Sequence, residues 1–297
     1  MKIIVSGKNS QIGKELSNII CKSKDDFIFT DSSSLNYNKL NEISTLIEKT
    51  KPNFFINLAA YTDVELAEIN KDEAFQINAN ALSVISKACE NINTYLIHIS
   101  TDYVFGKNNN GPFSSLDDTG PVNFYGFSKL AGEEKIISNR KSIIIRTASV
   151  FSKYNKNFVK NIADKVLSGN NLEVIEDQKI SITYAKDLAN FILMLINSIA
   201  VSNFSFDKNP KIIHFTNLNY TNWYNVALFI KKELSGYGLA DKSVIRSINS
   251  SEWNTNVKRS SDTRLSLDSR FLNFIDIELF NWQDRVKEVL KDIVNDI

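Results

Sequence analysis

The chain has 297 residues, 43% of them hydrophobic and 23% charged, with a formal net charge of +1. That length suits one large domain or two coupled ones, with the composition of an ordinary soluble globular protein. The near-neutral charge argues against a nucleic-acid or membrane electrostatic footprint, and no run of 18 apolar residues occurs.

Lys2–Ser6 reads as a strand ending in a turn and not as a signal peptide, so the expected location is cytoplasmic. Gly7-Lys8-Asn9-Ser10-Gln11-Ile12-Gly13 is the turn, and a helix begins over Lys14–Cys21. Strand, glycine turn and helix are the context in which G-x-x-G-x-x-G points to a dinucleotide. Gly7 permits the tight turn, and Gly13 lets helix and strand pack closely. The helix N-terminus, with Gln11 and Ile12, then faces a pyrophosphate. The middle position is Ser10 where the pattern has Gly, and its hydroxyl can donate to phosphate. The bland alternative is an ordinary β–α turn.

Phe27–Thr30 is a second strand, followed by Asp31. An acidic residue about 20 positions beyond the glycines can hold the adenosine ribose of NAD. Lys8 and the serines at 32 to 34 can instead meet the 2′-phosphate of NADP, and Asp31 can equally be a cap or turn residue. Leu40–Thr50 is a helix and Phe54–Leu58 a third strand. The small residues that follow, Ala59 and Ala60 before Tyr61, let a flat cofactor come close. A helix from about Asp72 to Asn91 leads to the strand Tyr95–Ile99. Cys21 and Cys89 lie in helical patterns and read as buried free thiols, not as a disulfide framework. His98 and His214 sit in apolar runs and read as structural, and no cluster has metal-ligand spacing.

Thr101 follows the carboxyl end of the fourth strand, where open α/β sheets bind ligands. Gly120-Pro121 breaks structure, and Tyr125-Gly126-Phe127-Ser128-Lys129 opens a helix. Tyr125 and Lys129, at i and i+4, share a helical face. An ammonium beside a phenol lowers the phenol's pKa, and a phenol so tuned exchanges a proton with a carbinol. Thr101 can hydrogen-bond the same oxygen. Y-x-x-x-K alone is common by chance; after a strand ending in Thr-Asp and a glycine turn, it points to chemistry. Ile143–Thr147 is the next strand. Helices are then expected at Asn157–Leu167, Tyr184–Asn197, Trp223–Leu234 and Asp284–Val294, with strands at Leu172–Ile175 and Lys211–Phe215.

Gly7–Gly13, Asn57–Thr62, His98–Phe105, Gly111-Pro112, Tyr125-Gly126 with Ser128–Glu134, Arg146-Thr147, Asn157–Val159, Asp177-Gln178 and Trp223-Tyr224 together resemble the dTDP-4-dehydrorhamnose reductase family of extended short-chain dehydrogenases/reductases, along nearly the whole chain. The resemblance implies an α/β fold, a Rossmann-type doubly wound parallel sheet with a smaller, partly interleaved C-terminal substrate domain. The expected division is a dinucleotide-binding domain over 1–150, with parts of 176–217 returning to it, and a substrate domain over 151–175 and 218–297. It implies Thr101, Tyr125 and Lys129 as the catalytic set, NADPH as hydride donor with NADH open, and Lys129 on the nicotinamide ribose. Thr62, Val64 and Tyr103 are expected along the sugar of a nucleotide-sugar substrate, with Asp102, Ser149 and Asn157 completing its site. A homodimer is left open; nucleic acid and membrane are not expected partners.

The chain departs from that family at Ser149, where a Trp usually faces the sugar, at Ile180 and Ile182, where Gly and Pro are usual, and at Arg259-Ser260, usually Arg-Pro. These departures point to the same reaction on a related nucleotide sugar. A second resemblance, to the NADP-binding regulatory β subunit of methionine adenosyltransferase, implies a binding module instead.

Overall fold

A computed structural model gives the structure, describing residues 1–108, 110–201, 211–239, 242–268, 272 and 276–296. The first half alternates regularly. β1 (Lys2–Ser6) leads to α1 (Gln11–Ile19), β2 (Asp26–Thr30), α2 (Leu40–Thr50) and β3 (Phe54–Asn57). Then come α3 (Val64–Ile69), α4 (Lys71–Phe75), a π-helical turn (Gln76–Asn80), α5 (Ala81–Asn91) and β4 (Tyr95–Thr101). A 3-10 turn (Asp102–Val104), α6 (Phe124–Ile136) and β5 (Ser142–Thr147) follow. The second half is more broken: β6 (Val150–Phe151), α7 (Phe158–Leu167), β7 (Leu172–Ile175), β8 (Lys179–Ile180), β9 (Thr183–Tyr184), α8 (Ala185–Val201), β10 (Ile212–His214), β11 (Thr221–Asn222), α9 (Trp223–Gly236), β12 (Ile245–Ile248) and α10 (Trp282–Asn295).

Six strands form one sheet in the order β10-β5-β4-β3-β1-β2, every neighbouring pair parallel. Both faces are covered, which is why these strands are continuous apolar runs. Side chains still alternate between faces. Ile3, Val5, Phe54, Ile56, Ile97, Ile143 and Ile145 pack with α1 and α8. Ile4, Phe55, Leu96 and Ile144 face α2 and α5 on the other side. A further core joins Phe151, Val159, Val174, Ile180, Val226, Ile230, Val286 and Leu290, drawn from the second half only.

The chain runs outward from β1 to β2, then returns to the far side of β1 for β3. At such a reversal the loops after neighbouring strands diverge and leave a crevice at the carboxyl edge. The turn after β1, the segment after β3 and the end of β4 all open onto it.

Several sequence expectations are corrected. The helix expected over 72–91 is divided into α4, the π turn and α5, and α3 precedes it, its first turn capped by the Asp63 carboxylate on Leu66 N. β4 runs two residues past Ile99, so Thr101 is its last residue, paired in register with Thr147. Cys21 is exposed, because the short turn it occupies (Ile20–Lys22) turns it away from the core; Cys89 is buried. β6, β8, β9 and β11 are two residues each, too short to leave a period in the sequence. Among the described residues no helix is long and apolar enough to cross a membrane, and no acidic, His or Cys group has metal-binding geometry.

Candidate active site

The crevice holds a cleft of about 610 Å³ that runs from the start of α1 to the start of α9. At its first end, Gly7 has φ +87°, and a Cβ there would lie 2.8 Å from Ala59 N. A Cβ on Gly13 would lie 2.4 Å from Gly7 O. Both glycines are therefore demanded by backbone contact, and neither lines the cleft. Ser10 caps α1 by accepting from Gly13 N at 3.0 Å. Its hydroxyl hydrogen stays free to donate, and with Gln11 and Ile12 it lines the cleft. A glycine turn packed this tightly against a helix N-terminus fits the phosphates of a dinucleotide.

Asp31 does not line this cleft. Its Oδ1 accepts from Ser33 N and Oγ and from Ser34 N and Oγ at 2.6–3.1 Å. The side-chain bond from Ser33, then the bonds from Ser34, hold the carboxyl well below the usual range. Oδ1 is thus committed to its own turn, while among the described residues Oδ2 accepts only from Asn9 Nδ2 at 3.4 Å. Ala60 lines the cleft, whereas Ala59 and Tyr61 do not. Tyr61 is fixed by Asn78, which accepts from its backbone N–H at 2.9 Å and donates to its carbonyl at 3.1 Å.

The middle of the cleft brings Thr101, Tyr125 and Lys129 together. Asn123 caps α6 by accepting from Gly126 N at 2.9 Å, which starts the helix just before Tyr125. A Cβ on Gly126 would lie 2.2 Å from Tyr103 O, and one on Gly132 would lie 2.1 Å from Asn78 O. Only glycine lets α6 sit this close, and the closeness sets Tyr125 edge-on to Tyr103, ring centroids 5.5 Å apart. Thr101 Oγ1 accepts from Tyr103 N at 3.2 Å and donates to Asp102 Oδ1 at 3.1 Å.

Burial raises the Tyr125 phenol above its usual range; a hydrogen bond with Thr101 opposes this, and Asp102 and Tyr103 add to it. The phenol is therefore a neutral acid at neutral pH. Lys129 does not pull it down as expected from helical spacing. Its ammonium is turned to the Ile99 carbonyl at 2.7 Å and to His98 Nε2 at 3.2 Å. Burial pushes Lys129 down to about 8, with Glu133 opposing. Glu133 itself is locked by Arg146 at 2.6 Å in a buried ion pair.

The far end is the wall expected to meet a sugar. Thr62, Val64, Asp102, Tyr103, Ser149 and Asn157 all line it. Ser149 has φ +44°, a conformation rare for a residue with a Cβ. Of the aromatics able to replace an indole there, Phe151 forms part of the wall, stacked on Tyr184 at 5.6 Å. Tyr154 is turned to Asn18, whose Nδ2 donates to its hydroxyl at 2.7 Å. Asn157 caps α7 through Lys160 N and donates to Gln11 Oε1 at 3.0 Å and to Ser152 O at 2.8 Å. The Gln11 side chain is likewise used up on the loop after β5, donating to Val150 O and accepting from Ser152 Oγ.

Behind Ser149 lies a recess of about 20 Å³, lined by Gln178, Trp223, Arg259 and Thr263 besides Asp102 and Tyr103. Thr263 donates to Asp102, and burial raises that carboxyl to about 6. Arg259 hydrogen-bonds Tyr103 and pairs with Glu65 at 2.7 Å. Sequence reasoning did not assign Thr263, Phe158 or Val226 to the site. Val226 reaches the cleft, and Thr263 the recess, from elements far along the chain, where no local pattern marks them; Phe158 stands beside Asn157 at the start of α7.

The family described as RmlD substrate binding domain matches residues 1–295. The chain is 30% identical to a dTDP-4-dehydrorhamnose reductase from Sinorhizobium fredii over 98% of its own length and 97% of the relative's. It is 29% identical to a spore coat polysaccharide biosynthesis protein of Bacillus subtilis over 98% and 97%. The solved dTDP-4-dehydrorhamnose reductase from Bacillus anthracis, in complex with NADP, superposes with a TM-score of 0.86 at 26% identity, covering 98% of this chain and 99% of that one.

Proposed function

This chain belongs to the RmlD substrate binding domain family, and we propose that it reduces the 4-keto group of a nucleotide-linked deoxysugar with NADPH, in the synthesis of a surface polysaccharide. What carries the reading is the convergence of Thr101, Tyr125 and Lys129 in one cleft beside the glycine turn. Ser10, the N-terminal amides of α1 and Ala60 are the groups that would hold the dinucleotide, and when bound it supplies the hydride. Lys8 and the hydroxyl of Ser32 suit the phosphate form, whereas the Ser33 and Ser34 hydroxyls already donate to Asp31; NADH is the weaker donor. NADPH oxidation without a bound sugar partner is not expected. The bulk of the relatives' names are those of reductases, so a non-catalytic regulatory subunit is not favoured.

In this reading Tyr125 is the acid. Its phenol is kept protonated by burial, and it delivers the proton to the carbonyl oxygen as that oxygen gains negative charge. Thr101 hydrogen-bonds the same oxygen. Lys129, charged below about pH 8, lines the same cleft and is read as the residue that holds the nicotinamide ribose. Residues of the second-half core, with Thr62, Val64 and Tyr103, are read as the sugar side.

Ser149 where the family has Trp, with a small polar recess behind it, suits a sugar more polar there than dTDP-4-dehydrorhamnose, although Phe151 supplies part of an apolar wall. A turnover screen across dTDP-, GDP-, UDP- and CDP-linked 4-keto sugars tests both levels. No turnover with any of them sinks the reductase reading. A wide preference for dTDP-4-dehydrorhamnose, unimpaired by Ser149→Trp, sinks only the altered pocket.

A further inference from the structure

A buried chain of polar groups runs behind the cleft, from the loop after β2 through β1, β3 and β4 to α6. The Tyr37 hydroxyl lies 2.7 Å from Ser6 Oγ and 2.7 Å from one end of the Asn57 amide, and Ser6 Oγ lies 2.9 Å from that same end. The other end of the amide lies 3.0 Å from His98 Nδ1. His98 Nε2 lies 3.2 Å from Lys129 Nζ, which also donates to the Ile99 carbonyl at 2.7 Å. Ser6, Tyr37, Asn57, His98 and Lys129 are each no more than 6% exposed.

Counting hydrogens fixes the polarity of this chain from both ends. An ammonium only donates, so Nε2 must accept from Lys129; the proton of a neutral imidazole is then on Nδ1, and Asn57 must present its oxygen to it. At the other end, Tyr37, Ser6 and the near end of the amide form a triangle with three short edges. With a carbonyl oxygen at that corner, two hydroxyl hydrogens serve three oxygen–oxygen contacts, and one contact has none. With the NH2 there, all three can be filled, and the amide oxygen again faces His98. The structure sets Nδ2 on the His98 side and Oδ1 on the Tyr37 side; the two ends of an amide are told apart by such partners, and both counts turn the Asn57 amide over.

We propose that His98 is a positioning residue for Lys129: a neutral Nδ1–H imidazole, held by Asn57 Oδ1, accepts from the ammonium and, with the Ile99 carbonyl, leaves one N–H for the cleft. Burial, and then the Lys129 charge, keep His98 well below its ordinary pKa, so it does not become a second cation. The other ionisable groups around the pair are Tyr125 and Glu133 on α6, Arg146 on β5, Asp102 after β4, and Tyr37 with Cys89 at the far end. Without the imidazole acceptor, burial acts on Lys129 unopposed from this side, and its ammonium is lost at lower pH.

The chain has only two histidines, so nitrogen-15 NMR of the full-length protein resolves both, with His214→Asn assigning the signals. His98 should be protonated on Nδ1 alone from pH 5.5 to 9, and its Nε2 signal should move with a midpoint near the Lys129 pKa of about 8. An Nε2–H tautomer or a doubly protonated ring overturns the proposal. The second arm rests on the reductase reading: kcat against pH for wild type, His98→Leu and His98→Gln. His98→Leu should move the alkaline fall down by about one pH unit, the change that a lost hydrogen bond to a charged group implies. His98→Gln, which restores an acceptor oxygen, should move it back. A His98→Leu profile that matches wild type in shape, whatever its plateau, overturns the positioning role. If no sugar is turned over, the reductase reading fails and the NMR arm decides this one alone.

Discussion

The floor of the cleft and its sugar-side wall are built by different means. Thr101, Tyr125 and Lys129 stand on a long strand and a long helix, brought together by backbone contacts that tolerate no Cβ at Gly126 or Gly132. The wall joins Thr62, Val64, Asp102 and Tyr103 to the loop after β5 and to pieces of the second half, tied by side-chain bonds such as Asn157 to Gln11 and Thr263 to Asp102. A floor fixed by backbone packing changes little when surface residues change. A wall fixed by individual side chains can be reshaped one residue at a time, and that is where this chain departs from the family it resembles.

The largest effect expected belongs to the floor. Tyr125→Phe removes the proton and keeps the ring, so kcat should fall by about 10²–10⁴, the range for a lost general acid. NADPH binding, read by calorimetry, should survive. Turnover equal to wild type would remove Tyr125 from the role and leave the floor a merely structural feature.

Gly126→Ala is the next test, against Gly236→Ala as its control. The added methyl at 126 meets the Tyr103 carbonyl at 2.2 Å, whereas nothing lies within 4 Å of one at 236. Overpacking at 126 should cost about 1–3 kcal/mol of stability and lower kcat with it, since α6 must retreat from Tyr103. Gly236→Ala, at the end of α9, should be neutral or stabilise by up to about 1 kcal/mol. Equal effects in urea unfolding would mean that close backbone approach does not define the floor.

The same contrast explains what the sequence discloses. The glycine turn, the five strands of the first half and the Tyr125–Lys129 pair are legible because each rests on a local pattern: an apolar run, a spacing of four, a glycine beside a strand. Gly126 is visible as a glycine, but its reason, the Tyr103 carbonyl, is not. Lys129 is legible as a neighbour of Tyr125 in spacing, yet its ammonium goes to His98 and Ile99, which only the tertiary fold brings near. Asp31 carries a pattern that fits a ribose and a pattern that fits a turn, and its serine neighbours take one carboxylate oxygen, Oδ1, for the turn. The wall is least legible, because β6, β8, β9 and β11 are too short to show a period and Thr263 meets Asp102 across 161 positions, 263 minus 102.

Asn157→Ala breaks the wall without touching the floor. It removes the cap on Lys160 N and the bonds to Gln11 and Ser152. The loss of a cap alone costs about 0.5–2 kcal/mol. The loop should loosen, so KM for the sugar should rise several-fold while kcat changes less. A fall in kcat with KM unchanged would mean that the wall and floor are one mechanical unit.

The last effect, read only as a shift with pH, is expected at Asp102, which touches both regions: Thr101 from the floor and Thr263 from the wall. Burial raises its pKa from about 4 to about 6, and the hydrogen bonds from Thr263 and Thr101 offset only part of that. A folded-state pKa above the unfolded one means that the folded protein binds the proton more tightly. The stability this contributes is fully present below about pH 4 and is lost as pH rises through about 6. At pH 7 the ionised carboxylate therefore weighs against the fold, by no more than about 3 kcal/mol, since each tenfold change in proton affinity is worth about 1.36 kcal/mol. Asp102→Asn keeps an acceptor for the two threonines and cannot ionise. Its melting temperature relative to wild type should therefore be higher at pH 7.5 than at pH 4, by several degrees. Taking the difference at two pH values cancels any packing change made by the new amide, which is the same at both. A difference that does not vary with pH would show that the carboxyl titrates alike in the folded and unfolded protein, and that burial at the meeting of wall and floor does not perturb it.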